Sequence, residues 1–315
     1  MRFLGQVRET RAVPGEIMED TAVVEYKATD HRRSLASAYM ELTKPRITLL
    51  VVLTAAAGYC LGARGGFNLG QFVLMSIGIS LLSAGISTLN QYIERDLDAL
   101  MNRTRMRPLP AGELPSPRAL GFGIGLSVAG IAFLAAFISV LTSALGFLTL
   151  AAYLFGYTPL KTRSSLSTVV GAFPGAMPPL IGWAAARGNV GIEAWVLFAI
   201  IFLWQFPHFL AIAWMYKDDY ARAGIKMLPV VEPDGRVTGQ QILTYTLMLI
   251  PVSMLPTLVH LAGNVYMVGA LALGTAFLYF SVRAAAERSK WQARRLLHAS
   301  VLYLPALFVL MVLNP

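Results

Sequence analysis

Nine apolar stretches of about 20 residues run through this chain, each long enough to cross the ~30 Å hydrocarbon core of a bilayer as a helix. They cover approximately residues 46–63, 70–93, 117–139, 141–157, 168–186, 194–216, 242–262, 264–283 and 296–313. Lipid offers no partner to an unpaired backbone group. No segment alternates apolar and polar residues as a barrel strand would, so helices are the spanning structure left. Only 14% of the 315 residues are charged, against about 25% in soluble domains. The expectation is an all-α polytopic membrane protein, about nine transmembrane helices in one bundle around a cytoplasm-facing cavity. That domain would span residues 39–315, with residues 1–38 as a mobile cytoplasmic tail.

The net charge of +9 invites a nucleic-acid reading, which its distribution removes. With a cytoplasmic N-terminus, one side holds residues 1–46 and the connections near 94–118, 158–167, 217–240 and 283–295. These carry 24 of the 26 Lys and Arg, leaving Arg64 and Arg187 opposite. Such an excess of basic residues on the cytoplasmic side sets orientation, and no nucleic-acid partner is needed to explain it. The same side holds 16 of the 17 acidic residues, Glu193 being the exception. Topology does not account for that, so polar function is expected at the cytoplasmic face. The single cysteine, Cys60, lies in the first span, which excludes a disulfide or a cysteine-based metal site. The first 40 residues have no signal-peptide core and are too acidic for a transit peptide, favouring a bacterial cytoplasmic (inner) membrane.

The second span ends in "NQYIERDLDALMNRTRMRPLPAG", residues 90–112. At about 100° per residue, Asn90, Glu94 and Asp98 fall within an arc of about 80° on one helical face, while Asp96 points elsewhere. An amide carbonyl and two carboxylates make a hard-oxygen site suited to Mg²⁺, which completes its shell with water and substrate phosphate. Arg95, Arg103, Arg105 and Arg107 supply forked donors for phosphate oxygens. A metal and arginines beside a membrane mouth suggest a diphosphate with an apolar tail. The plain alternative is a solvated helix end whose carboxylates pair with the neighbouring arginines. Against it, Asn90 still lies at membrane depth, where polar residues are functional by default.

A second polar connection follows "WQFPHFLAIAWMYKDDYARAGIKMLPVV", residues 204–231. Asp218 and Asp219 emerge there with Lys217, Arg222 and Lys226, as a second acidic bank or as surface ion pairs. "YTPLKTR" places Tyr157 and Lys161 at the end of the fourth span, and "TKPR" places Arg46 before the first. Either cation suits a phosphate, although Lys and Arg commonly end membrane helices on this side. His208 sits inside the sixth span near Trp204 and Gln205, about 16 Å from Asp219 by helical rise. A ligand could hold its phosphates at the mouth and its reacting carbon near His208, although a lone buried histidine is ordinarily just hydrogen-bonded structure. Pro174, Pro178, Pro179, Pro207, Pro251 and Pro256 mark spans expected to kink.

These motifs, with "GAFPGAMPPLIGWAA" and the nine spans, resemble over residues 38–315 the protohaem IX farnesyltransferases (haem O synthases), a branch of the intramembrane aromatic prenyltransferase superfamily. The resemblance implies transfer of a farnesyl group from farnesyl diphosphate to a vinyl group of protohaem, with hydration, giving haem O and diphosphate. It implies Asn90, Glu94, Asp98, Asp218 and Asp219 as catalytic, with Asn90, Glu94, Asp98 and Asp219 holding Mg²⁺. Arg46, Arg95, Arg103, Arg107, Lys161 and Arg222 would bind diphosphate. His208, Trp204 and Tyr157 would meet the haem acceptor, haem being substrate rather than cofactor. Haem A synthase or terminal-oxidase assembly proteins would be the protein partners. Two departures stand out. Position 94 is Glu where Asp is usual, and the second region has adjacent Asp218 and Asp219 instead of an Asp-x-x-x-Asp spacing, which favours one Mg²⁺ over two. The acidic clamp alone would equally serve a quinone precursor or another aromatic acceptor. A transporter would place ionisable residues near the midplane, where the spans hold essentially His208 and Gln205. A non-catalytic oxidase assembly factor would tolerate neutralisation of the acidic face.

Overall fold

The computed structural model describes residues 34–314, every regular element of which is helical. Most of the expected tail falls outside the described residues. The rest of that tail, residues 34–38, caps and begins the short helix α1 (Leu35–Leu42). The spans are α2 (Pro45–Gly62), α3 (Leu69–Ala99), α4 (Ser116–Phe137) and α5 (Val140–Ala151). The last of these runs on through a π-helical turn (Ala152–Tyr157) into α6 (Thr158–Leu160). Next come α7 (Ser167–Arg187) and α8 (Ile192–Met215). Two short helices, α9 (Lys217–Arg222) and α10 (Leu228–Val231), precede α11 (Arg236–Leu258), α12 (Asn264–Glu287) and α13 (Lys290–Leu313). Counting α5 through α6 as one, nine helices among the described residues are long and apolar enough to cross a membrane. Large apolar side chains such as Leu53, Val128, Phe155, Val268 and Leu302 point outward, as lipid requires and water would not tolerate.

Hydropathy finds the spans but not all their ends. The second apolar run stops near residue 93, whereas α3 continues to Ala99. The added turns carry Glu94 and Asp98 as helical residues below the apolar stretch. The last two runs likewise gain polar turns at one end, because a helix continues wherever its backbone bonds can, irrespective of side-chain polarity.

Helix α7 is the centre of the bundle, with 72% of its apolar core buried against 22% for α4. Its Gly, Ala and Pro residues make this possible by letting neighbouring backbones come close. A Cβ on Gly182 would strike the carbonyl oxygen of Ala55 in α2, and one on Gly58 of α2 would strike that of Pro179. Pro174, Pro178 and Pro179 all lie within α7 without ending it. On its other side, Gln205 of α8 donates to the α7 carbonyl of Ala172 at 3.0 Å, and Gly175 leaves the space that the amide needs. Helix α8 packs onward to α11 through the parallel stack of Phe206 and Tyr245, with centroids 3.7 Å apart. Asn314 after α13 accepts from the Tyr266 N–H at 3.0 Å, closing the N-terminus of α12.

Replacing Gly182 with Val should therefore destabilise the bundle by about 1–3 kcal/mol through overpacking. Gly125→Ala, where a Cβ meets nothing within 4 Å, should be neutral. Thermal unfolding in detergent would separate the two.

Candidate functional site

Asn90, Glu94 and Asp98 occupy successive turns of one α3 face, and their exposures are 2%, 7% and 1%. Three cations from three different segments meet them. Lys44 Nζ donates to Asn90 Oδ1 at 3.2 Å, Lys161 Nζ to Glu94 Oε1 at 2.5 Å, and Arg107 Nη1 to Asp98 Oδ2 at 2.6 Å. A carboxylate withdrawn from water without such a partner would take up a proton or destabilise the fold.

Each cation has its own local device. Lys44, between α1 and α2, adopts a left-handed backbone at φ 46° and ψ 63°, uncommon for a residue with a side chain. Gln91 holds that corner by donating from Nε2 to the Leu42 carbonyl at 2.9 Å. Burial, reinforced by the Arg107 charge and opposed by Glu94, pulls the Lys44 ammonium down to a pKa of about 7. An arriving anion would restore its full charge. Lys161 owes its position to the π turn, whose wider winding adds a residue to the register. Thr158 Oγ1 bonds back to the Tyr153 carbonyl at 2.9 Å, and Asn90 Nδ2 reaches Thr158 Oγ1 at 3.5 Å. The Lys161 ammonium lies 4.4 Å from the centroid of the Tyr157 ring, which packs on the bare Cα of Gly171. Burial alone would lower the Lys161 pKa, but Tyr157 and Glu94 outweigh it and hold the ammonium charged. Arg107 is returned to Asp98 by the turns after α3, where Thr104 Oγ1 donates to the Asp98 carbonyl at 2.8 Å.

The second bank is half as large as its sequence suggests. Asp219 faces the connection after α3, accepting from the Arg103 backbone N–H at 3.3 Å and pairing with Arg222. Asp218 turns outward to Lys290 at 2.8 Å, both side chains 61% exposed, and that hydrogen bond holds its carboxyl below the usual range. Adjacent residues on a helix point about 100° apart, so the two aspartates cannot share one direction. Arg103 spreads over the Tyr216 and Tyr220 rings, with its guanidinium 5.1 and 5.9 Å from their centroids. Arg95 bonds the carbonyl of Tyr92 and meets Asp96 at 3.5 Å, away from the clamp. Arg46 is exposed on α2, and Lys44, two residues earlier, takes the place expected for it.

The expected acceptor residues also divide. Tyr157 belongs with Lys161 at the mouth and with Tyr153, 5.2 Å away. Trp204 and His208 stack at 4.7 Å, and both hydrogen-bond to Ser300 of α13. Lys44, Thr158, Tyr153 and Ser300 are the residues that sequence reasoning missed. Lys44 and Thr158 had a signal, their places in the "TKPR" and "YTPLKTR" stretches.

Three basic side chains surround two carboxylates, so with Lys44 charged the mouth has one surplus positive charge for an anion. Lys161 and Arg107 each engage one oxygen, and among the described residues Glu94 Oε2 and Asp98 Oδ1 accept no hydrogen bond. Two free carboxylate oxygens beside an amide fit a divalent metal that takes its remaining donors from water and phosphate. No group of three or more His, Cys, Asp or Glu side chains among the described residues could hold a metal alone, so substrate oxygens would have to share in binding it.

The model of the UbiA prenyltransferase family matches residues 51–308. A protein of Solibacter usitatus named protoheme IX farnesyltransferase is 52% identical, with 88% of this chain and 98% of the relative covered. One of the same name from Koribacter versatilis is 45% identical over 89% and 94%. Among solved structures, a digeranylgeranylglyceryl phosphate synthase matches with a TM-score of 0.75 at 15% identity, covering 89% of this chain and 98% of its own. A UbiA homologue from Archaeoglobus fulgidus bound to GPP and Mg²⁺ matches with a TM-score of 0.65 at 18% identity, over 87% and 99%. Fold, family match and relatives agree, and the chain is a member of the UbiA prenyltransferase family.

Proposed function

We propose that this protein transfers the farnesyl group of farnesyl diphosphate to a vinyl group of protohaem IX and directs hydration of the product, releasing haem O and diphosphate. The observation that carries the reading is the α3 clamp, two buried carboxylates with free oxygens among three cations, in a chain 52% identical to a protein named for that reaction. Asn90, Glu94, Asp98 and Asp219 would hold one Mg²⁺, which when bound supplies positive charge to the diphosphate oxygens. Lys44, Lys161 and Arg107 receive the charge that develops on the leaving diphosphate. As the allylic C–O bond breaks, its electron pair leaves with the diphosphate. The apolar spans keep water from the allylic cation until the terminal vinyl carbon attacks farnesyl C1. The cation now beside the porphyrin takes the oxygen of a water molecule, which loses a proton.

Trp204 and His208 are assigned to the acceptor, and Tyr157 to orienting Lys161. The domain is read as beginning at Leu35, four residues before the expected boundary, since α1 carries the corner that holds Lys44. The protein is assigned to the bacterial cytoplasmic membrane with its N-terminus inside, and haem A synthase or oxidase assembly proteins would receive its product.

Membranes supplied with ferrous protohaem, farnesyl diphosphate and Mg²⁺ should yield a haem with the mass of the hydroxyethylfarnesyl adduct. Chelation with EDTA should stop the reaction and Mg²⁺ restore it. Asn90→Ala and Asp98→Ala should each lower turnover by about 100-fold or more, the scale of losing a transition-state contact. If a folded preparation makes no haem adduct, protohaem is not the acceptor, and the same assay with aromatic acceptors would show whether the clamp serves another.

The two aspartates should separate. Asp218→Ala removes only an exposed surface pair with Lys290, of a kind that contributes little, and should leave turnover nearly intact, whereas Asp219→Ala should lower it. Equal losses in the mass assay would refute the inward and outward assignment. Orientation can be read on a Cys60→Ser background. Asn189→Cys should react with an impermeant maleimide on spheroplasts, and Asn102→Cys only after permeabilisation.

A further inference from the structure

Helix α13 supplies none of the expected site residues, yet one of its side chains controls the chemical state of one. Ser300 is fully buried and makes three contacts. Its Oγ lies 2.6 Å from the Leu297 carbonyl oxygen and 2.8 Å from His208 Nδ1. Its own carbonyl accepts from Trp204 Nε1 at 2.9 Å, while the Trp204 ring stacks on His208 with planes 25° apart. One residue of α13 thus fixes the plane and the rotation of the imidazole.

The network also fixes its tautomer. A serine hydroxyl has a single proton, and a carbonyl oxygen has none to give. Two oxygens 2.6 Å apart need that proton between them, so the Ser300 hydroxyl donates to Leu297. Towards His208 it can then only accept, which places the imidazole proton on Nδ1. Nε2 keeps its lone pair, has no hydrogen-bond partner among the described residues, and belongs to a side chain that is not fully enclosed. A neutral imidazole with its second nitrogen held by a hydrogen bond is the form in which histidine ligates metals.

We infer that Ser300 is a positioning residue that presents His208 Nε2 as a ligand to the iron of the protohaem acceptor. The bond forms by donation of the Nε2 lone pair to iron and displaces no proton. The inference rests on protohaem being the acceptor. It adds that the acceptor is held through its metal, with Trp204 as a stacked wall, and that a hydroxyl on another helix sets that grip.

The test is spectroscopic titration of the full-length protein in nanodiscs with protohaem and, in parallel, with metal-free protoporphyrin. Product formation is followed on the same preparations. Wild type should show a histidine-ligated haem spectrum that His208→Ala abolishes. Ser300→Ala should weaken protohaem about tenfold or more, the usual cost of losing a ligand's supporting hydrogen bond, while leaving metal-free protoporphyrin unchanged. Ser300→Thr, which keeps the hydroxyl, should restore protohaem affinity. Equal weakening of both porphyrins in Ser300→Ala would mean a packing role and overturn the inference. So would a haem spectrum indifferent to Ser300→Ala or His208→Ala in a protein that still makes haem product. If wild type neither binds protohaem nor converts it, the acceptor assignment falls and this inference with it.

Discussion

The two carboxylates of Glu94 and Asp98 lie beyond the reach of bulk water at the end of a membrane helix, and their charge must be answered locally. Most of the surroundings of this helix end can be understood as that answer. A left-handed corner brings in Lys44, a π turn brings in Lys161, and a series of turns after α3 brings back Arg107. Each device sits in a different part of the chain, so the clamp also ties α1, α3, the α5–α6 span and the first long connection together. Breaking an ion pair of this kind by removing one partner leaves a charge in the wrong medium, typically at a cost of about 3–5 kcal/mol. Structure and the proposed chemistry therefore draw on the same contacts, and the oxygens left over at Glu94 and Asp98 are where the metal is proposed to sit.

The remainder of the bundle supplies rigidity by a different route. Apolar surface drives little association between helices already in lipid, so backbone proximity has to substitute. Gly58 and Gly182 give α2 and α7 contact at the backbone. The Gln205 amide joins α7 to α8, and the Phe206–Tyr245 stack joins α8 to α11. Helix α7, three prolines included, is the shared wall between the half that holds the clamp and the half that holds His208.

Much of this was legible from residue spacing. Period-four repetition of Asn90, Glu94 and Asp98 predicts a single acidic face, because helical geometry is local and needs no knowledge of neighbours. What could not be read is what depends on backbone excursions and on distant partners. Arg46 looks as good as Lys44 until the chain turns left-handed between them. Asp218 and Asp219 look like a pair until α9 sends them in different directions. Tyr157 looks like an acceptor contact, but π winding puts it under Lys161. Ser300 is a small polar residue in an apolar helix, 92 positions from His208. Such serines usually bond only to their own helix, so nothing local distinguishes it.

The π turn at Ala152–Tyr157 carries a consequence for how this protein can vary. Downstream of it, each residue gained or lost rotates the rest of the segment by about 100°. Deleting one residue between that turn and Lys161 would leave the span still apolar and still long enough to cross, while swinging Lys161 off Glu94. The fourth span thus tolerates substitution along its lipid-facing side but not a change in its count. Between the π turn and Lys161, length matters more than composition.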